Sequence, residues 1–289
     1  KKTKDIKLNE IKGDIIGNDG GVNLYPAWSP NNIKFAFISN QKHDYFSQTD
    51  LYVYDFENVK SLKIASRVES KPTWINNSHI LYSRRSKKND NGSTFFDLYK
   101  YDLNLKEETQ LTISGRFTSP LVLRGKDEFI AFKTSDGSTN VYLSDVNHVD
   151  LQPITKIDNG LVFFSATYNS EEDILILDGN SLHGRQLYSL DMKNYKLEKI
   201  TNSNWDSRNP NYQNGQLCYS EDKSGIFNLV CELNGKKNYI TNVLGGAFMP
   251  DVNSEGEVLY SHYENGQYKI TLINNVENIN EEYVGYSSN

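Results

Sequence analysis

The chain of 289 residues is short of several residue types, and each shortage excludes something. It has two cysteines, Cys218 and Cys231, too few for a disulfide scaffold. No apolar run nears the roughly 18 residues of a membrane-spanning helix. "ILIL" (174–177) and "LVFF" (161–164) are typical of the longest. An excess of positive charge is also missing. The formal net charge is −6, which argues against a nucleic-acid-binding surface. The opening "KKTKD" is followed by no apolar stretch and does not read as a signal peptide. The chain is therefore expected to be cytosolic, or exported with its signal already removed. Gly-x-Ser-x-Gly, Walker and dinucleotide glycine patterns are all lacking. The five histidines, His43, His79, His148, His183 and His262, form neither His-x-His nor His-x-x-x-His. No local metal motif follows, and no cofactor is expected. "SDG" (135–137) and "DNG" (158–160) resemble pieces of calcium loops but read as β-turns.

What the chain does have is aromatic residues, 19 Tyr, 13 Phe and 3 Trp, which favour strands. It also has a repeat. Pro26-Ala-Trp28 returns as Pro72-Thr-Trp74, then more weakly at Pro120, Ala166, Pro210 and Pro250. Five of the seven prolines fall at this one phase. An apolar strand follows each, as in "FAFIS" (35–39), "ILYSR" (80–84), "ILILD" (174–178) and "VLYSH" (258–262). A second strand comes after a loop, as in "DLYVYDF" (50–56) and "DLYKYDL" (97–103). Short closing strands are expected at "TQLT" (109–112), "QPIT" (152–155), "EKIT" (198–201) and "NYIT" (238–241). Four short strands in about 45 residues is the period of a propeller blade.

The expected fold is all-β: a six-bladed β-propeller with four-stranded antiparallel blades. The blades span about 24–66, 70–113, 118–156, 164–202, 208–242 and 248–274 of a single domain. The sixth unit lacks a closing strand, and Ile16 stands ten residues before Pro26, as Ile200 stands ten before Pro210. Residues 13–17 are therefore expected to complete the last blade and close the ring. The tail, 277–289, receives no place.

Pro-x-Trp-Ser-Pro, a turn, a strand ending in Ser, "LYVYD" and a closing Leu-Thr or Ile-Thr resemble the repeat of TolB-type β-propellers over residues 13–274. Only about a dozen residues precede the first strand, so the N-terminal α/β domain of TolB is expected to be absent. The resemblance implies a non-enzymatic binding or scaffold role in the periplasm or elsewhere in the cell envelope. It also implies a protein partner, an envelope protein or lipoprotein, with carbohydrate as a second ligand class. The repeat is also similar to the propellers of oligogalacturonate lyases, which would imply His and Arg converging on a metal in the channel. A third likeness is to the regulatory propellers of prolyl-oligopeptidase-like hydrolases. Composition alone is equally compatible with the cytoplasm.

Up-and-down strands put the blade links and the loops between second and third strands on one face. That face carries the longer segments, among them 40–49, 85–96, 179–185 and 203–208. Binding residues concentrate on such loops. The candidates there are Trp205, Arg208, Arg116, Arg84, His43, His183 and Arg185. "RRSKK" (84–88) is a basic cluster that suits a solvated loop better than an acidic partner. Cys218 and Cys231 lie equidistant from Ser224-Gly225. A two-residue turn there would place them opposite each other within disulfide reach; the other reading is two small buried side chains.

Overall fold

The computed structural model describes residues 10–17, 19–88, 90–181, 184–276, 278–279, 281 and 284. These form 24 strands in six antiparallel four-stranded sheets, with no α-helix among the described residues. The first strand, β1 (Asp14–Gly17), belongs to the last sheet. Blade 1 is β2 (Asn23–Trp28), β3 (Lys34–Ser39), β4 (Asp50–Asp55) and β5 (Lys60–Ser66). Blade 2 is β6 (Thr73–Asn76), β7 (His79–Arg85), β8 (Phe96–Asp102) and β9 (Glu107–Gln110). Blade 3 is β10 (Phe117–Val122), β11 (Glu128–Ser135), β12 (Ser138–Asp145) and β13 (Gln152–Pro153). Blade 4 is β14 (Phe163–Asn169), β15 (Ile174–Ser181), β16 (Gly184–Asp191) and β17 (Leu197–Lys199). Blade 5 is β18 (Ser207–Gln213), β19 (Gln216–Glu221), β20 (Asn228–Leu233) and β21 (Lys236–Tyr239). Blade 6 is β22 (Ala247–Val252), β23 (Val258–Glu264) and β24 (Gln267–Ile273), completed by β1. Asp14 lies opposite Leu272 and Ile15 opposite Thr271, so the expected closure by residues 13–17 is present.

The inner strands pack each against the next, and β22 against β2, which makes the six sheets a ring. The core is divided accordingly, one cluster at each junction between blades. On β3, Ala36 and Ile38 pack toward blade 2, while Phe35 and Phe37 pack toward blade 6. Alternate residues thus serve two neighbours, and a strand buried on both faces reads as one apolar run.

The repeated proline has a backbone cause. In blades 1, 3, 5 and 6 the residue before it, Tyr25, Ser119, Asn209 or Met249, has a φ between 48° and 58°. At the same place the register slips by a β-bulge. A bulge leaves a residue out of the ladder, so proline loses no ladder hydrogen bond there.

The next position joins the blades. Thr73 Oγ1 accepts from Val122 N (3.2 Å), Thr167 Oγ1 from Tyr212 N (2.9 Å), Asn211 Oδ1 from Val252 N (3.0 Å) and Asp251 Oδ2 from Trp28 N (2.7 Å). Each bond reaches from one blade to the next. Ala27 and Leu121 hold this position in blades 1 and 3 and have no side-chain acceptor; Trp74 Nε1 instead donates to Ala27 O (2.9 Å).

The closing Thr has a different place from the one expected. It lies just past its strand, because β9, β13, β17 and β21 end before Thr112, Thr155, Thr201 and Thr241. Its hydroxyl caps the start of the third strand. Thr112 Oγ1 accepts from Leu98 N (3.0 Å) and donates to Asp97 Oδ1 (2.9 Å), and Asp97 Oδ1 also accepts from Gly115 N (2.8 Å). Asn140 with Thr155 and Asn228 with Thr241 repeat the clasp. The expected long loop 179–185 is also corrected: β15 runs to Ser181 and β16 starts at Gly184. "SDG" is a tight hairpin turn with Asp136 (φ 51°) and Gly137 (φ 77°) both left-handed. Part of the tail finds a place, since Ile279 bridges to Tyr239 on the outer strand of blade 5.

Cys218 and Cys231 are paired in register between β19 and β20 and form a disulfide, with Cα atoms 4.1 Å apart. The hairpin is symmetric about Ser224-Gly225, but its loop is residues 222–227 rather than two residues. No helix of the described residues is long and apolar enough to cross a membrane.

Candidate functional site

The inner strands enclose a channel of about 580 Å³, within the ordinary size range of ligand sites. Much of its wall is apolar or aromatic, including Trp74, Leu121, Phe163, Phe164, Tyr168 and Tyr212. A polar belt crosses it. Besides Trp28 N, Asp251 accepts from Lys71 Nζ (2.7 Å) and Asn211 Nδ2 (2.9 Å), so one carboxylate ties blades 5, 6, 1 and 2. The lining has Lys71, Arg124, Lys126, Glu69 and Asp251 as its charges and contains no histidine among the described residues. The converging His and Arg of a lyase-like centre are thus not among the described residues of this wall.

On the long-loop mouth, blades 4 and 5 are joined by a connected polar cluster. Asp178, fully buried, stands where blades 5 and 6 have Ser220 and Ser261. Its carboxylate accepts from Ser165 N (2.7 Å) and Asn209 N (2.9 Å) and pairs with Arg185 Nη2 at 3.1 Å. Burial pushes this carboxyl up, while Arg185 and the two N–H groups pull it back. The Arg185 guanidinium lies over the half-exposed Phe164 ring, 4.2 Å from its centroid. Tyr25, from the opposite blade, is within electrostatic reach of both Arg185 and Asp178, and burial raises its pKa.

Asp206 organises the adjoining link. It accepts from Arg185 N (2.8 Å) and Arg208 Nε (2.6 Å). It packs so tightly on Gly184 (φ +94°) that a Cβ there would meet its Oδ1 at 1.7 Å. Arg208 then lies over Phe227 (4.6 Å) and Lys223 over Trp205 (5.0 Å).

The structure thus brings Trp205, Arg208 and Arg185 together and leaves the other sequence candidates apart. Arg116 is exposed on blade 3, over Phe95 at 4.6 Å. Arg84 belongs to β7, lies over Tyr99 (4.1 Å) and is held by Glu108 (2.5 and 2.9 Å). His43 Nε2 is 2.8 Å from Asp50, which also binds Lys63 Nζ (2.5 Å). His183 lies outside the described residues. Sequence reasoning missed Asp178, Tyr25, Lys71 and Asp251. For Asp178 there was a signal, an acid in "ILILD" where three other repeats have Ser83, Ser220 and Ser261.

Away from the channel, Glu10, His262 and Glu264 bring ligand atoms within 4.8 Å of one another. Their carboxylates are taken by ammonium groups. Lys12 is 2.9 Å from Glu264 and 3.3 Å from Glu10, and Lys269 is 3.0 Å from Glu264. The cluster reads as part of the β1 latch.

No family model and no curated protein matches the sequence. Solved structures do match in fold. TolB from Acinetobacter baumannii is 16% identical with a TM-score of 0.63, over 80% of this chain and 57% of that one. The β-propeller domain of the Trilobed protease from Pyrococcus furiosus is 16% identical with a TM-score of 0.59, over 92% and 85%. An acylaminoacyl peptidase from Pyrococcus horikoshii is 14% identical with a TM-score of 0.56, over 86% and 44%. The chain spans little more than half of that TolB and less than half of the peptidase. The Pyrococcus furiosus domain is described by an open velcro topology, whereas β1 pairs with β24 here. Six four-stranded blades, the latch strand and this likeness make the fold that of the TolB-like β-propellers.

Proposed function

We propose that this propeller is a non-enzymatic binding protein of the cell envelope, which holds a partner protein at its long-loop mouth. One observation carries the reading. From blade 2 to blade 5 this face carries cations stacked on aromatic rings: Arg85 on Phe96, Arg116 on Phe95, Lys133 on Phe117, Arg185 on Phe164, Arg208 on Phe227 and Lys223 on Trp205. Arginine and aromatic side chains dominate the energetics of protein interfaces, and a rigid ring presents them at little entropic cost. The Cys218–Cys231 disulfide supports an oxidising compartment outside the cytoplasm.

The test is site-specific photocrosslinking in cells. A photoreactive residue at Phe164 or Arg116 is expected to trap one partner, while the same probe at Leu105 or Tyr195, on the tight-turn face, traps none. Equal crosslinking from both faces, or from neither, sinks the reading. A second reading, a propeller regulating a hydrolase, is favoured by the match to less than half of a peptidase chain. A hydrolase domain encoded in the same reading frame would select it.

A further inference from the structure

The mouth holds a donor that nothing in the fold uses. Arg185 Nε is buried and has no hydrogen-bond partner among the described residues. Leaving such a donor unmade is costly, and native proteins do it rarely. The surroundings make it more pointed. A carboxylate sits fully buried at Asp178, where the next two blades use serine, and two backbone N–H groups hold it in place. Buried ion pairs seldom add stability, so this one is better explained by what it orients. It holds Arg185 Nη2 at 3.1 Å and leaves Nε over. Beside them the Phe164 ring is 44% exposed on the channel wall.

We propose that the mouth between blades 4 and 5 is a carboxylate-binding site, with Arg185 as the contacting cation, Asp178 as its positioning residue and Phe164 as the seat for an adjoining apolar group. A guanidinium edge matches a carboxylate in geometry as well as charge. The carboxylate comes from a chain end or from an acidic side chain. The inference rests on the binding reading above for the kind of natural ligand, but the site can be probed without any partner.

The probes are N-acetylphenylalanine, its amide, and N-acetyl-Glu-Phe-amide, titrated by calorimetry into the disulfide-intact protein. At least one acid is expected to bind at least tenfold more tightly than N-acetylphenylalanine amide, and the acid preferred names the source. Arg185→Gln should abolish that preference. Asp178→Asn should reduce the acid-to-amide ratio several-fold, a readout that a merely structural role would not move. If Arg185→Gln does not fold, the Arg185 Nε–H resonance of the wild type replaces it and should shift with the acid only. Equal affinity for acids and amide, no binding at all, or an Arg185→Gln variant with unchanged preference would overturn the site. Loss of this binding with face-specific crosslinking intact would discard the carboxylate site alone. Intact binding without crosslinks would instead discard the protein partner.

Discussion

At the scale of single residues, the polar side chains inside this protein are fasteners. Asp251 receives three donors from three blades, and Asp97 receives a hydroxyl and two backbone N–H groups from its own clasp. The disulfide belongs with them. Cys218 and Cys231 are buried where blade 5 meets blade 6. With 13 residues of sequence separation, chain-entropy reasoning gives the crosslink about 3 kcal/mol. The double variant Cys218→Ala, Cys231→Ala should lose about that much in urea unfolding, and a reductant should bring the wild type to the same value. An unchanged midpoint would refute it. This pair was legible in the sequence because strand register is symmetric about a hairpin's centre, whatever the loop length. Asp178 was legible only as a break in a repeat. Its meaning needed Arg185, Ser165 and Asn209, which the chain brings to it from two blades.

At the scale of elements, the piece most exposed to loss is β1. It is four residues long, its register slips between Ile15 and Gly17, and ion pairs among Lys12, Glu264 and Lys269 flank it. Those pairs hold the Glu264 carboxyl down to about 2, against an ordinary 4.5. A carboxyl depressed in the folded state contributes stability above its unfolded pKa and loses it as pH falls toward the folded one. The latch should therefore loosen from about pH 4.5 down to about pH 2. Hydrogen exchange at the β24 amides that face β1 should accelerate over that window, modestly, because these side chains are partly exposed and salt screens them. Glu264→Gln should flatten the dependence; an identical profile in the variant would show that the ion pairs do not matter. Residues 13–17 could be placed from sequence because the spacing of Ile16 from Pro26 copied that of Ile200 from Pro210. The full length of β15 and β16 could not, since Asn180 and Ser181 look like loop residues and yet continue the ladder opposite Arg185 and Gly184.

At the scale of the whole molecule, six separate cores make a ring whose strength is that of its junctions. Thr167→Val keeps the volume and removes one fastener, leaving Tyr212 N–H without its acceptor. It should cost roughly 1–3 kcal/mol. Leu121 contributes no side-chain acceptor at its junction, so Leu121→Val should act through packing alone. If Thr167→Val is neutral in urea unfolding, the inter-blade bonds are incidental. The ring was readable because every unit repeats its own punctuation. The channel was not, because its lining is sampled one or two residues at a time from strands far apart in sequence.

The latch also sets a timetable. A ribosome delivers β1 ahead of all six blades and its mate β24 only after the other strands of those blades. In between, the growing polypeptide is an open arc whose opening strand has nothing to zip onto. Contacts so distant along the chain are slow to form, and a product cut short before β24 would be left with two raw edges, an invitation to aggregate.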